Sequence, residues 1–294
     1  MEPVTRLNPS GGPWRVVLDT DTANEIDDQF AIAHACLSPD RIKLEAVCAA
    51  PFRSSRMTVE ESVTASLDEI CRVLSRIPSA DPPVYRGSER WLRTPQDAVE
   101  SEAADAIIEL ADRTDEPLLV LAIGAATDVA SALNMRPDLV GKVGVVWLGG
   151  HSFDFPSAHE FNLAGDPNAS RALLDSGVDL VLIPAMGVSS HLLTTVAELE
   201  RDLEPTGELG AYLTDIVREH HRPHFAWGKE IWDVSATAWA IEPSWVPTRV
   251  VPSPILNEDL TYSHDPSRHP IRYAYFCGRN AVFGDIFRKI AANG

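Results

Sequence analysis

The sequence predicts an α/β protein, with a mostly parallel central sheet, helices on both faces and a site at the carboxyl ends of the strands. Three observations carry this expectation. Short apolar runs rich in β-branched residues, such as VVL at 16–18, have the composition of strands buried on both faces. These runs alternate with stretches of helical periodicity, which implies right-handed crossovers between parallel strands. Polar clusters follow the runs, and open α/β sheets build their sites at that rim.

The elements can be justified in order. WRVVLDT opens as a strand, DDQFAIAHACL follows as a helix, and IKLEAVCAA reads as a second strand. Over 57–77 the apolar residues Val59, Val63, Leu67, Ile70, Cys71, Leu74 and Ile77 recur at three and four, which is one face of a long helix. A helix over 101–113 precedes the apolar run LLVLAIG. A helix over 127–135 leads to the strand VGVVWLGG, and a helix over 167–176 to the strand VDLVLIP. Beyond 190 the pattern is mostly helical, in ELGAYLTDIVREHH and WDVSATAWAI. A β-rich stretch ending in IRYAYFCG and a last helix, NAVFGDIFRKIAA, complete it. No repeat, low-complexity tract or Pro/Gly/Ser-rich linker interrupts the chain, so one domain over 1–294 is expected.

Composition narrows the function. The 294 residues include 43 acidic and 25 basic side chains, a formal charge of -18. Nucleic-acid binders need a basic footprint, so a phosphate-backbone partner is not expected. The N-terminal stretch has no apolar core of a signal segment and no run of eighteen apolar residues follows. A soluble, cytoplasmic protein without a membrane partner is therefore expected. Cys36, Cys48, Cys71 and Cys277 form no CxxC pair and read as buried thiols rather than a disulfide or zinc frame.

The first strand raises the main chemical question, because DTDTANEIDD places five acids within ten positions. A solvated turn is the ordinary reading of a charge cluster. Here, however, Asp19 and Asp21 end a strand, while Asp27 and Asp28 start a helix. Later strand ends deliver Gly124 and Thr127, then Gly149 and Gly150, followed by Asp154, Glu160 and Asn162; Asp233 opens a helix after HFAWGKEIW. Each acid alone would more often cap a helix. Together they repel unless a cation cancels their charge. An oxygen-only donor set suits Ca2+ or Mg2+ rather than zinc.

These residues resemble the nucleoside hydrolase family, calcium-dependent N-ribohydrolases with an α/β fold. The opening is similar to the family's DTDPGxDD pattern and LAIGAATDVASAL to its G-P-L-T-N-x-A element. VVWLGG resembles its M-G-G strand, HEFNLAGDPNAS its A-E-F-N-x-x-x-D-P-E-A element, and IWDVSA stands where the family has His-Asp. The likeness runs through nearly the whole chain in the family's order. It implies that Asp21, Asp28, the backbone carbonyl of Thr127 and Asp233 hold Ca2+, and that Asp21 takes a proton from a Ca2+-bound water. It further implies that Asp27 and Asn162 grip the ribose hydroxyls, Glu160 the 5′-hydroxyl end, and that Asp19 supports the metal loop. The implied reaction releases base and ribose from a nucleoside. Carboxylates around the ribose would stabilise its developing positive charge. Members of the family are usually homodimers or homotetramers, so self-association is implied too.

The chain departs from that pattern at several points. Five residues, Thr22 to Ile26, separate Asp21 from Asp27 where the family has three, so Asn24 or Glu25 can enter the site. CAAPFRSS replaces the family's V-x-G-N, removing a ribose-side Asn, and Asp154 stands where an Asn is expected to meet the 5′-hydroxyl. Trp232 replaces the His that protonates the leaving base in some members. An indole donates a hydrogen bond but is no general acid at neutral pH. Two solutions are open: Phe225, Trp227 and Trp232 stack a purine, or His220, His221 or His224 reaches the base. Purine ribonucleosides are the expected substrates, in a salvage role.

Two other classes fit parts of the sequence. VVLDTDT also suits the opening of haloacid-dehalogenase-like phosphohydrolases, with Asp19 as nucleophile beside Mg2+. That chemistry needs a lysine at a later strand end, and Lys43, Lys142, Lys229 and Lys289 do not follow apolar strands. A ribose-binding protein without turnover is the third class, suggested by the altered loop and the missing His.

Overall fold

The computed structural model describes residues 13–220 and 224–293. Its main sheet begins with β1 (Trp14–Thr20), β2 (Ile42–Ala49) and β3 (Val84–Arg86), followed by β4 (Leu118–Ala122), β5 (Val143–Leu148) and β6 (Asp179–Ile183). Two short strands, β7 (Leu193–Thr194) and β8 (Lys229–Glu230), pair with each other. β9 (Thr248–Pro252) returns to the main sheet, β10 (Ile255–Leu256) pairs with β11 (Tyr262–Ser263), and β12 (Pro270–Ala274) closes the series. The eight main strands lie in the order β3-β2-β1-β4-β5-β6-β12-β9, parallel except for β9 against β12. The expected fold class is borne out.

The first helices are α1 (Asp28–Cys36), α2 (Val59–Leu74), α3 (Glu102–Asp112) and α4 (Thr127–Met135). Then come α5 (Phe161–Gly165), α6 (Pro167–Asp175), α7 (Val196–Asp202), α8 (Glu208–His220), α9 (Val234–Ile241) and α10 (Arg279–Ala291). Local chemistry starts several of them. Thr58 and Glu61 form a reciprocal capping box on α2, the Ser101 hydroxyl accepts from Ala104 N–H on α3, and Asp166 caps α6 ahead of Pro167 at its first position.

Sequence reasoning missed β3, α5 and α7. β3 is three half-buried residues with no alternation to read, and α5 is little more than one turn. The helix expected over 57–77 is two residues shorter at its start and three at its end.

β1 is buried along its whole length because β2 and β4 flank it and both faces are covered. Val16 and Leu18 pack with α1, α2, α9 and α10, whereas Val17 packs with α3, α4 and α6 on the opposite face. The helix after β1 thus lies on one face and the helix after β4 on the other. Such a reversal between neighbouring strands is a topological switch point, where a crevice opens beyond the strand ends. Among the described residues, no helix is long and apolar enough to cross a membrane.

Candidate active site

The crevice is a cavity of about 300 Å³, at the lower end of the usual size of small-molecule sites. From the segment after β1 it is lined by Asp21, Asn24, Glu25, Asp27 and Asp28. Trp232 and Asp233 reach it from the start of α9, and Glu160 and Asn162 from the start of α5. Of the acids that the sequence suggested as one set, Asp21, Asp27, Asp28, Glu160 and Asp233 line it.

Their positions follow from the backbone. Thr20 ends β1, and its hydroxyl donates to Asp28 Oδ1 at 2.5 Å, joining the strand end to the first residue of α1. A turn between them is closed by Asn24 N–H donating to Asp21 O at 2.8 Å. Asp27 and Asp233 stand directly before α1 and α9 at their capping positions, yet neither side chain caps. Carboxylate oxygens of Asp27, Asp28 and Asp233 all lie within 4.8 Å of one another.

Burial pushes every one of these carboxyls upward, and like charges add to it. Asp28 rises to about 7 through burial and then Asp27. Asp21 rises through burial, Asp28 and Asp27. Asp233 rises through burial, Asp27 and Asp28. Asp27 also rises by burial, although the Lys229 ammonium beside it works the other way. Buried acids in this state are a frequent mark of function.

Asn162 is anchored by its amide N–H2, which donates to Ile123 O at 2.9 Å and Leu148 O at 3.1 Å. Its Oδ1 remains as an acceptor. Glu160 is held by backbone: Oε1 accepts from Asn162 N–H at 2.9 Å, and Oε2 from Gly150 N–H at 2.9 Å and Leu163 N–H at 3.0 Å. Gly150 has φ of +71°, and a Cβ there would lie 2.2 Å from Tyr262 Oη. Only glycine fits that turn.

The donor set suits a hard divalent cation. Three carboxylates converge, Asp21 Oδ2 is buried without a hydrogen-bond partner among the described residues, and the carbonyl-bearing Ile123 lines the same cavity. Every donor is an oxygen.

Three expected site residues lie elsewhere. Thr127 does not line the cavity; it begins α4, its carbonyl accepts from Ser131 Oγ at 2.7 Å, and its hydroxyl donates to Asp166. Ile123, which follows β4, lines the cavity, and its carbonyl accepts from the Asn162 amide. Asp154 is exposed, with only a 3.4 Å contact to Ser152 Oγ, and it lies outside the cavity lining. His224 is exposed and outside it as well. Of the rings expected to stack a base, Phe225 is 95% exposed and Trp227 packs near His220, so only Trp232 lines the cavity. His221 lies outside the described residues.

Other lining residues escaped sequence reasoning, notably His151, His159, Phe161 and Met186. Met186 N–H donates to His151 Nδ1 at 3.4 Å. Burial, then His159, lowers the His151 imidazole from its ordinary value. A lone His carries no spacing pattern; the only hints were adjacency to Gly149-Gly150 and to Glu160. Asp19 lies beneath the cavity, fully buried, with neither carboxylate oxygen hydrogen-bonded among the described residues. Its register partners on β2 and β4 are Cys48 and Ala122.

Comparison with known proteins decides what this crevice belongs to. The sequence profile of the family described as inosine-uridine preferring nucleoside hydrolase matches residues 16–268. The chain belongs to this nucleoside hydrolase family. Among curated relatives, the pyrimidine-specific ribonucleoside hydrolase RihA of Enterobacter sp. (strain 638) is 25% identical over 259 residues, 78% of this chain and 79% of the relative. The pyrimidine-specific ribonucleoside hydrolase RihB of Escherichia coli (strain SE11) is 22% identical over 266 residues, 80% of each chain. A solved purine-preferring ribonucleoside hydrolase from Gardnerella vaginalis shares the fold with a TM-score of 0.74 at 20% identity, covering 95% of this chain and 98% of that one. The inosine-uridine preferring nucleoside hydrolase of Bacillus anthracis does so with 0.73 at 17% identity, covering 95% and 99%. As a nucleoside hydrolase, this chain is an enzyme of N-glycosidic bond cleavage.

Proposed function

We propose that this nucleoside hydrolase cleaves ribonucleosides, with purine ribonucleosides preferred, to free base and ribose, and that Ca2+ is its resident cation. The observation that carries the reading is the convergence of Asp27, Asp28 and Asp233 within 4.8 Å beside the unpartnered Asp21 Oδ2. Asp21, Asp28, Asp233 and the Ile123 carbonyl would hold the ion. Bound there, it would orient a vicinal diol and lower the pKa of a water.

The chain's own residues supply the rest. Asp21 accepts the proton of the attacking water. Asp27 and Asn162 Oδ1 accept from the ribose hydroxyls and fix the sugar, which lowers the entropic part of the barrier. The surrounding carboxylates face the positive charge that grows on the ribose as the bond breaks. Glu160, pinned by three backbone N–H groups, holds the wall of the cavity at a fixed distance. Trp232 offers the leaving base an aromatic face, which supports the purine preference. His151 and His159 are the imidazoles that line the cavity, and in this reading an imidazole N–H hydrogen-bonds the departing base. One domain, a cytoplasmic location and self-association as a homodimer or homotetramer belong to the same proposal.

The test follows release of free base from inosine, adenosine, guanosine, uridine and cytidine, with calcium and with a chelator. Calcium-dependent release, fastest from the purine nucleosides, is expected, and Asp21→Ala is expected to lose at least about a hundredfold in turnover. Faster release from uridine or cytidine would transfer the preference to pyrimidines. Near-normal turnover of the variant would remove Asp21 from its role.

A further inference from the structure

Lys229 is unusual among the four lysines. Its side chain is 6% exposed, against 20% for Lys289, 42% for Lys142 and 66% for Lys43. An ammonium is costly to bury without a partner. Lys229 sits in β8, and its Nζ donates to Glu25 and lies 4.0 Å from Asp27 Oδ1. Glu25 belongs to the five-residue turn between Asp21 and Asp27, and Trp232 and Asp233 follow β8 after Ile231. The ion pair therefore ties together the two segments that carry the acids of the cup. The charges around Lys229 are Asp27, Glu25 and Asp233, all negative.

We propose that Lys229, tethered by Glu25, is an internal counter-ion of the carboxylate cup: its ammonium holds Asp27 and Asp233 together before a divalent cation enters and opposes that cation once it arrives. The inference rests on the cation reading above. Lys229 is a positioning residue, not a ligand. The physical argument is one of sign. Three acids, Asp27, Asp28 and Asp233, repel at close range, and a fixed positive charge at their edge relieves this. The same charge then repels an incoming cation. Glu25 moderates the effect by neutralising the ammonium from its outer side, while its own partly exposed carboxylate stays in water.

A purely structural clip and a counter-ion make different predictions. Breaking a clip from either end loosens the cup, so both variants would bind Ca2+ more weakly. Removing a counter-ion or its moderator moves the affinity in opposite directions.

The experiment is calorimetric titration of Ca2+ into metal-stripped, full-length protein, with thermal melts in chelator. Lys229→Met is expected to bind Ca2+ roughly fivefold more tightly, and Glu25→Gln roughly fivefold more weakly. Lys229→Arg, which keeps the charge, should stay near the wild type. In chelator, Lys229→Met should melt about 3 °C lower, and Asp27→Asn in that background should recover the loss. Weaker or unchanged Ca2+ binding by Lys229→Met overturns the proposal, as does a double variant that melts no higher than Lys229→Met alone. Should Lys229→Met fail to melt cooperatively, Lys229→Gln, which also removes the charge, takes its place: weaker or unchanged Ca2+ binding overturns the proposal. A wild type that binds no Ca2+ defeats the cation reading itself, and the counter-ion then stands or falls on the recovery of the melt by Asp27→Asn.

Discussion

Replacing Asp28 with Asn separates what the acidic cup costs the fold from what it gives the site. The side chain is buried, and the Thr20 hydroxyl donates to its Oδ1, a bond that an amide oxygen keeps. The substitution therefore removes charge and little else. Burial, then the charge of Asp27, raises the carboxyl from its ordinary 3.8 to about 7. That rise corresponds to about 4 kcal/mol between the two protonation states. Because Asp27, Asp21 and Asp233 share that energy and can relax when one charge goes, about half of it, roughly 2 kcal/mol, is a fair expectation for one residue. The direction with pH follows from the raised value. Below about pH 4 the group is protonated in both folded and unfolded chains and makes no difference. Between 4 and 7 the unfolded chain releases its proton first, so stability falls as pH rises. Above 7 the whole penalty stands. In chelator at pH 8, Asp28→Asn is expected to melt about 4–8 °C above the wild type, with the gap closing at pH 4. Added Ca2+ should reverse the order, since a ligand at about a hundred times its Kd stabilises by roughly 2.7 kcal/mol only where it binds. The assay is a thermal melt at the two pH values, with and without calcium, beside a turnover measurement that should show loss. Equal melting temperatures in chelator at pH 8, or an equal gain from Ca2+ in both proteins, would refute the reasoning.

Other outcomes follow from the same geometry. Trp232→Ala should slow purine nucleosides more than pyrimidine ones in steady-state assays, and an equal effect on both would return the indole to packing; His151→Gln should cost about a hundredfold in turnover at neutral pH if its imidazole serves the base. Gly150→Ala should destabilise by about 1–3 kcal/mol in denaturant titration, because its Cβ would meet Tyr262 Oη at 2.2 Å; an unchanged midpoint would contradict the close approach. Asp285 experiences burial, but hydrogen bonds from His34 and Lys289 bring it down to about 2. The stability it contributes is present above about pH 4 and is lost as pH falls from there toward 2. Melting curves of Asp285→Asn should therefore be flatter over that range, and a slope equal to the wild type's would remove the group from the acid limb.

What could be read from the sequence depended on how far apart the interacting residues lie. β1 and its acids were legible because strand, turn and helix start are neighbours and the chemistry is compressed into fifteen residues. The helix over 57–77 was legible because its apolar face repeats. Thr127 lies outside the cavity lining for a different reason: the order of motifs places a segment near the site, but which residue reaches the crevice depends on where β4 stops, and Ile123, just beyond that end, is the one that lines it. Asp154 lies outside the lining likewise, since the position in a motif says nothing about which way a surface turn points. His151 and His159 are isolated residues that only the folded wall brings to the cavity. Lys229 lies 204 positions from Glu25, and no periodicity records such a pairing.

The reversal between β1 and β4 has a consequence for how this enzyme could diversify. Because the helix after one strand leaves toward one face and the helix after the other toward the opposite face, the gap between them is not space that core side chains had to fill. A turn can lengthen there at its outer part while its inner end stays packed: of the five residues between Asp21 and Asp27, Asn24 and Glu25 line the cavity, whereas Ile26 belongs to the core. Insertions beside Asn24 and Glu25 thus meet the crevice before they meet the core, so new reach, charge or selectivity can be tried at its mouth while Ile26 and the sheet beneath stay the same.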